Sequence, residues 1–360
     1  MKLPAELPRW SVAAPLAAWA LLGGAAFDLG SAYVAPMALG LLGAVLAAVH
    51  HAEVVAHRVG EPFGTLVLAL SVTVIEVALI VSLMLAGGPQ ANALARDTVF
   101  AAVMIILNGI VGLCLIVGGA RFGEQTFGLH GVSASLATLA AIVVLSLVLP
   151  NYTVSVPGPA YTPGQLGFIA IVSVGLYGTF VLVQTVRHRD YFLAAAHPGD
   201  VDVHAAPPSR ATAGVAAALL LACLGVVVLL AKALAPDIER AVEVAHAPKA
   251  LVGVIVAAVV LLPEGLAALR AARANRLQTS LNLALGSALA SIGLTIPAVA
   301  IVSIATGLTL TLGIDAKSTV LLVLSLFVSG LALATGRTTV LQGAVLLVIF
   351  ATYLFTIVVP

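Results

Sequence analysis

The sequence predicts an all-α polytopic membrane protein of about eleven transmembrane helices, built as one N-terminal helix plus two inverted five-helix repeats. Three observations predict it. The 360 residues are 61% hydrophobic and only 9% charged, with mean hydropathy +1.17. A soluble domain is about a quarter charged, and no soluble core of this length hides so much apolar surface. Apolar windows of about 20 residues, long enough to cross a bilayer as helices, recur eleven times. Finally, Lys and Arg fall mostly on one side of the topology those windows imply.

The first window covers roughly residues 10–28. It follows MKLPAELPRW, where an acid and prolines interrupt any signal-peptide n-region, so it is read as a retained helix. The second, 33–52, ends in the polar stretch HHAEVVAHRVGEP. The third, 63–86, carries one acid, Glu76, and the fourth, 98–119, carries Asn108. The fifth, 131–149, stops at Leu149-Pro150-Asn151, and the sixth is 165–186. After the polar interruption RHRDYFLAAAHPGDVDVHAAPPSR come windows at 211–234, 249–269, 281–305, 317–335 and 339–358. The eighth holds a second lone acid, Glu264.

With the N-terminus cytoplasmic, the cytoplasmic side receives Lys2, Arg9, Arg58, Arg121, Arg187, Arg189, Arg210, Arg270, Arg273, Arg276 and Arg337. The other side receives Arg96, Lys232, Arg240, Lys249 and Lys317. That bias orients an inner-membrane protein with its C-terminus periplasmic, which requires an odd number of spans. The segments are then 1–30, an N-terminal helix; 31–187, a first five-helix repeat; 188–210, a cytoplasmic connector; and 211–360, a second repeat. Five is odd, so the second repeat starts from the opposite side. Inverted repeats of this kind place substrate near the midplane, at the repeat interface.

The chemistry is expected at the two acids. An ionised carboxylate within hydrocarbon is costly, and lone acids there mark ion pathways more often than packing. Glu76 and Glu264 occupy the second helix of each repeat. A facing pair supplies hard oxygen ligands for a cation, or holds protons when the cation is absent. Two carboxylates sharing a site hold protons more tightly than one, so a cation entering must displace them. Coupled exchange follows if the empty, ionised site is too costly to carry across.

Around the acids, Thr73 lies three residues before Glu76 on the same face and is read as a ligand or as a hydroxyl bonded back to its own helix. Pro263, next to Glu264, removes an N–H and crowds the Val259 carbonyl, so a helix break is expected there, with Gly265 allowing a bend or close approach. Asn108 is read as a ligand or as interhelical glue, with Gly109 beside it. In LNLALGSALASIG, Asn282, Gly286, Ser287 and Ser291 form a small, polar face suited to a cavity wall, Ser287 being its best ligand candidate. His50, His51, Glu53, His57 and Glu61 form a vestibule for proton relay or a hydrated helix end.

Other classes find little support. No basic, aromatic-interleaved patch tracks a nucleic acid, and there is no Gly-rich phosphate loop or His-Glu-x-x-His pattern. An intramembrane enzyme would need a nucleophile beside a base, and no embedded His adjoins a candidate Ser. A channel fits the paired lone acids less well than a two-sided site. Cys114 and Cys223 read as packing residues. The connector residues His188, His197, His204, Asp190, Asp200 and Asp202 have no closed metal-site spacing. No cofactor and no obligate protein partner is expected beyond lipid and the transported ions.

Two stretches carry a resemblance: HHAEVVAHRVGEPFGTLVLALSVTVIEVALIVSLML, and VVLLPEGLAALRAARANRLQTSLNLALGSALASIG. They resemble the two alpha-repeats of bacterial calcium(sodium, potassium)/proton antiporters of the ChaA type, in the cation/proton exchanger branch of the Ca²⁺:cation antiporter superfamily. The resemblance implies Ca²⁺ export against entering protons by alternating access, with Na⁺ or K⁺ as the alternative cargo. It places the site acids on Glu76 and Glu264, and the following polar positions near Asn108–Gly109 and Gly286–Ser287. Many members carry Gly-Asn four and three residues before each acid; here Val72-Thr73 and Val260-Leu261 stand there, which leaves fewer amide oxygens. The family's strongly acidic connecting loop is also absent, since this one has three acids.

Overall fold

The computed structural model describes residues 7–25, 27, 30–60, 63–87, 92–193, 207–244, 248 and 250–359. Glu61, and His197, Asp200, Asp202 and His204 of the connector, lie outside them. The described residues form eleven long helices. They are α1 (Arg9–Ala25), α2 (Val34–Val59), α3 (Phe63–Gly87), α4 (Leu94–Phe122), α5 (Leu129–Tyr152) and α6 (Pro163–Arg187). Then come α7 (Arg210–Val244), α8 (Ala250–Arg273), α9 (Leu277–Thr306), α10 (Ala316–Leu333) and α11 (Val340–Val358). Among the described residues, nine are long and apolar enough to cross a membrane by these measures alone; α1 has 17 residues, and α3 contributes the shorter stretch Leu70–Leu85. The protein is thus an all-α polytopic membrane protein, and its exposed surface is that of one. Phe168, Ile171, Phe327, Leu331, Val348 and Phe355 are large, apolar and exposed, as side chains meeting lipid should be.

Helix ends follow local chemistry. Thr162 and Gln165 make a reciprocal capping box at the start of α6, where Pro163 takes the first helical position and its missing N–H costs nothing. Thr339 and Gln342 do the same for α11, and Asp315 Oδ1 accepts from the Ser318 N–H at 2.7 Å to start α10. Gly307 ends α9 at φ 72°, a left-handed conformation that a residue without Cβ adopts freely. Two helices outrun their apolar windows. α2 continues to Val59 through the His-rich stretch, and α7 to Val244 through Pro236. Hydropathy windows measure hydrocarbon thickness, and a helix does not stop where the hydrocarbon does.

The sequence gives no sign of three π-helical turns, at Ile105–Ile110 within α4, Val144–Val148 within α5 and Val183–Arg187 at the end of α6. The expected break at Pro263 is corrected in the other direction: α8 stays helical from Ala250 to Arg273 with the proline inside it. A proline removes one N–H and its hydrogen bond, and here the helix accommodates that loss as transmembrane helices can.

The chain divides into two compact units. The first, residues 1–91 and 198–246, holds α1, α2, α3 and α7. Here α2 packs along α7, α1 packs on both, and α3 packs on α2 and α7. Trp19 Nε1 donates to the Ala222 carbonyl at 3.1 Å, and Arg58 Nη1 to that of Pro208 at 3.3 Å.

The second unit, residues 92–197 and 247–360, holds α4–α6 and α8–α11. In it α4 packs on α11 and α8, and α9 on α6 and α8. With no hydrophobic force between helices in lipid, close contact must come from small residues. Gly112 and Gly343 meet where α4 crosses α11, so closely that a Cβ on Gly343 would sit 2.7 Å from the Gly112 carbonyl oxygen. A short antiparallel ladder, β1 (Gln125–Thr126) with β2 (Arg337–Thr338), ties the loops after α4 and α10.

Candidate functional site

Glu76 lies in the first unit, on α3. It is 3% exposed, Thr73 one turn earlier is 5% exposed, and Ile75, Leu79 and Ile80 beside them are buried. Both polar residues make a polar or electrostatic interaction. Ser71 instead donates to the carbonyl of Val67 at 2.7 Å, four residues back on its own helix.

Glu264 lies in the second unit, half-buried on α8. Its height is set by two glycines. Gly253 packs on the backbone of Asp97 and Thr98, where a Cβ would lie 2.8 Å from each, and Gly265 packs on Ile110, 3.1 Å from its Cδ1. Both numberings rise together, so α4 and α8 run parallel, and Glu264 stands level with the π-turn Ile105–Ile110. Asn108 belongs to that turn. A π-turn inserts one residue into the helix and disturbs the regular ladder, an arrangement frequent at functional sites.

Asn108 is fully buried. Its Nδ2 donates to Ser325 Oγ of α10 at 2.9 Å, and Ser325 Oγ in turn donates to the Leu321 carbonyl at 2.7 Å. The carboxamide oxygen Oδ1 is buried with no hydrogen-bond partner among the described residues. An orphaned amide oxygen of this kind is costly unless something visits it, and a hard cation is one such visitor. Gly109 packs on the ring of Phe350, 3.3 Å from where its Cβ would lie.

On α9 the four predicted residues separate. A Cβ at Gly286 would meet nothing within 4 Å, so this backbone borders open space. Ser287 beside it is half-buried, and Ser291, one turn on, is buried. Asn282 is occupied elsewhere: its Nδ2 donates to the Phe192 carbonyl, and its Oδ1 accepts from Gln278 Nε2 at 3.0 Å. Gln278 also holds the Gly128 N–H, so this pair ties α9 to neighbouring loops.

The histidine stretch likewise splits. His51 is fully buried, its Nε2 2.8 Å from the Ser11 carbonyl of α1, and the His50 ring packs 5.4 Å from Trp10. Glu53 and His57 are exposed on the other side of α2.

Sequence reasoning missed a cavity of about 240 Å³, with charged residues in its wall, at the opposite end of α8 from Arg270 and Arg273. Arg96 and Asp97 of α4, Asp315, Lys317 and Ser318 at the start of α10, and Tyr353 of α11 line it. Arg96 Nε donates to Asp97 Oδ1 at 2.8 Å and its Nη1 to the Gly313 carbonyl at 3.2 Å, while Lys317 Nζ donates to the Thr356 carbonyl at 2.6 Å. An acid in the first turn of a helix reads in sequence as a charge opposing the helix dipole. The only sequence signal for more was the adjacency Arg96-Asp97 in an otherwise charge-poor chain.

Among the described residues no three His, Cys, Asp or Glu side chains gather as a metal cage. The donors available are carboxylates, one carboxamide oxygen and hydroxyls, the oxygen chemistry of hard cations and protons.

Comparison with known proteins agrees with that chemistry. The sequence pattern of the sodium/calcium exchanger protein family matches residues 30–186 and again 215–359. A Sinorhizobium fredii protein, provisionally named an ionic transporter, is 50% identical over 99% of this chain and 98% of its own length. The sodium-potassium/proton antiporter ChaA of Escherichia coli is 38% identical over 89% of this chain and 87% of its own. Among solved structures, native YfkE superposes with a TM-score of 0.75 at 18% identity, covering 98% of this chain and all of that one, which speaks to the fold.

Proposed function

We propose, from the premise that this chain belongs to the sodium/calcium exchanger protein family, that Glu76 and Glu264 are the carboxylates at which a transported cation and protons replace one another. The chain is a secondary active cation/proton antiporter of the Ca²⁺:cation antiporter superfamily, a transporter and not an enzyme, in the bacterial inner membrane. One observation carries the assignment of the acids. The family pattern matches the chain twice, and each matched segment holds an apolar helix whose only acid lies in its interior, Glu76 of α3 in the first and Glu264 of α8 in the second.

In this reading the cation enters from the cytoplasm and displaces protons from the two carboxylates, with Asn108 Oδ1, Thr73 and Ser287 completing its oxygen shell. Alternating access exposes the loaded site to the other face. There the cation leaves and protons from that side neutralise the acids before the return. An empty site with two ionised acids carries an uncompensated charge through low dielectric, and that cost enforces coupling. The N-terminus is taken as cytoplasmic, from the Lys and Arg distribution.

The cargo has two readings. Two carboxylates suit Ca²⁺, the ion expected from the sequence. Na⁺ or K⁺ has the stronger support. The Escherichia coli relative is named for those ions at 38% identity, and Val72-Thr73 and Val260-Leu261 bring no amide oxygen to a Ca²⁺ shell, which takes six to eight oxygens.

Everted membrane vesicles energised to an acid interior test both points. Na⁺, K⁺ or Ca²⁺ is added separately and proton release followed, for wild type, Glu76→Gln and Glu264→Gln at matched membrane content. Both variants should lose cation-dependent proton release. Retained coupled exchange in either one overturns the shared-carboxylate reading, and a response to Ca²⁺ alone overturns the monovalent cargo.

A further inference from the structure

Building on the antiporter reading, we infer that Asp97 is a proton-loading carboxylate distinct from the transport acids, passing protons between the solution and the exchanger through the cavity where α4, α8 and α10 begin and α11 finishes. Asp97 lines that cavity with its side chain 16% exposed, and its Oδ1 is held by Arg96, itself anchored on the Gly313 carbonyl. Tyr353 faces the same space. It is 3% exposed, and its ring is fixed by an edge-on contact with Phe100 at 5.4 Å. It lies within electrostatic reach of Asp97. A phenol lining a cavity beside a carboxylate can both donate to and accept from a water there. The neighbouring Thr98 hydroxyl is buried with no hydrogen-bond partner among the described residues.

The surrounding charges favour a proton over a metal ion. Arg96 comes from the same helix, Asp315 from the N-cap of α10, Lys317 from its first turn and Tyr353 from α11, while Pro248, before α8, and Ala250, its first residue, are uncharged. Among the described residues two acids face two bases, so the cavity concentrates no cations. A metal ion would have to displace Arg96 from Asp97, whereas a proton needs one hydrogen bond. From this cavity α4 and α8 run side by side to the level of Glu264, from Gly253 to Glu264 about 16 Å at 1.5 Å per residue. In the transfer an O–H bond forms at Asp97 as one breaks in hydronium. In the onward step the Asp97 O–H bond breaks as water takes the proton, and an O–H bond then forms on a transport carboxylate vacated by the cation, so Asp97 is left ionised again and the charge and the number of protons balance.

The test uses the purified full chain in proteoliposomes. Cation-driven proton flux is measured over about pH 6 to 9, where a carboxylate relay and bulk hydronium compete, together with isotopic self-exchange of the same cation, which moves no protons. Asp97→Asn should slow proton-coupled exchange by about tenfold or more, increasingly so as pH rises and hydronium becomes scarce. Self-exchange should be unchanged, and Asp97→Glu should restore the coupled rate. Tyr353→Phe should give an intermediate loss with the same pH trend. Asp97→Asn matching wild type at every pH overturns the proposal, as does parallel loss of self-exchange, which would mark a purely structural role. The antiporter reading fails differently, by wild type showing no cation–proton exchange or by the Glu76→Gln and Glu264→Gln variants retaining it.

Discussion

Gly343→Ala places one methyl group at the crossing of α4 and α11. The new Cβ would lie 2.7 Å from the Gly112 carbonyl oxygen and 2.8 Å from the Ile116 backbone N. Both are main-chain atoms of a helix, and neither can swing aside. Restoring ordinary contact at 3.4 Å requires the helices to part by about 0.7 Å there. A gap of that size forfeits roughly a quarter to a half of the dispersion well for the atoms lining it, and overpacking of this kind typically costs about 1–3 kcal/mol. Better helix propensity returns at most about 1 kcal/mol. The net expectation is destabilisation of about 1–2 kcal/mol. Gly286→Ala is the internal control, because its Cβ would meet nothing within 4 Å; it should match or exceed wild type. The assay is loss of the monodisperse peak in detergent after heating, with the three proteins run in parallel. If Gly343→Ala is as heat-resistant as wild type, or Gly286→Ala is the weaker of the two, the backbone contact between α4 and α11 is not as close as described. Because Gly112 follows the π-turn by two residues, Gly343→Ala should also weaken apparent cation affinity.

Two further outcomes are expected. Asn108→Ala removes the bond to Ser325 and the orphaned oxygen together. It should cost about 1 kcal/mol of stability and raise the cation concentration for half-maximal exchange, whereas Ser325→Ala, measured by the same titration, should change stability more than affinity. Asp315→Ala removes the cap of α10 and should cost about 1 kcal/mol near neutral pH. Partial burial pushes the Asp315 carboxyl up, but the Ser318 side chain and amide, Lys317 and Arg96 outweigh it and hold its pKa below the ordinary carboxylate value. With the folded value depressed, this stabilisation is present above the unfolded value of about 3.9 and is lost as pH falls through the folded one. The gap between wild type and Asp315→Ala in heating curves should therefore be constant from about pH 8 to 5 and close below about pH 4.

Much of the architecture could be read from the chain because lipid imposes a simple grammar. A helix facing hydrocarbon must be apolar for its whole span, so helices stand out as windows, and Glu76, Glu264 and Asn108 stand out because little else polar interrupts them. What the chain hides has physical reasons too. A π-turn adds one residue to a segment such as Ile105–Ile110, where Asn108 is the single polar residue and one point fixes no period that would register the slip. Gly112 meeting Gly343 is a matter of which helix packs on which, and the periodicity of neither helix contains it. Asn282 reads from its four-residue step to Gly286 as a cavity-wall residue and from its place near the helix end as an entrance or cap; that its amide donates to the Phe192 carbonyl, 90 residues away in sequence, is written in neither pattern. Asp97 was hidden by the ordinariness of an acid at a helix start.

The crossing of α4 with α11 also bears on how the protein is made. The ribosome delivers α4 into the bilayer long before it begins α11, and until then the glycine-lined groove around Gly112 has no helix of its own to receive. Lipid or an insertase must occupy it in the meantime, and the second compact unit cannot close as its early helices arrive. Maturation therefore waits on a late segment, and a translation stall ahead of Val340 would leave α4 inserted but open to the cell's membrane proteases.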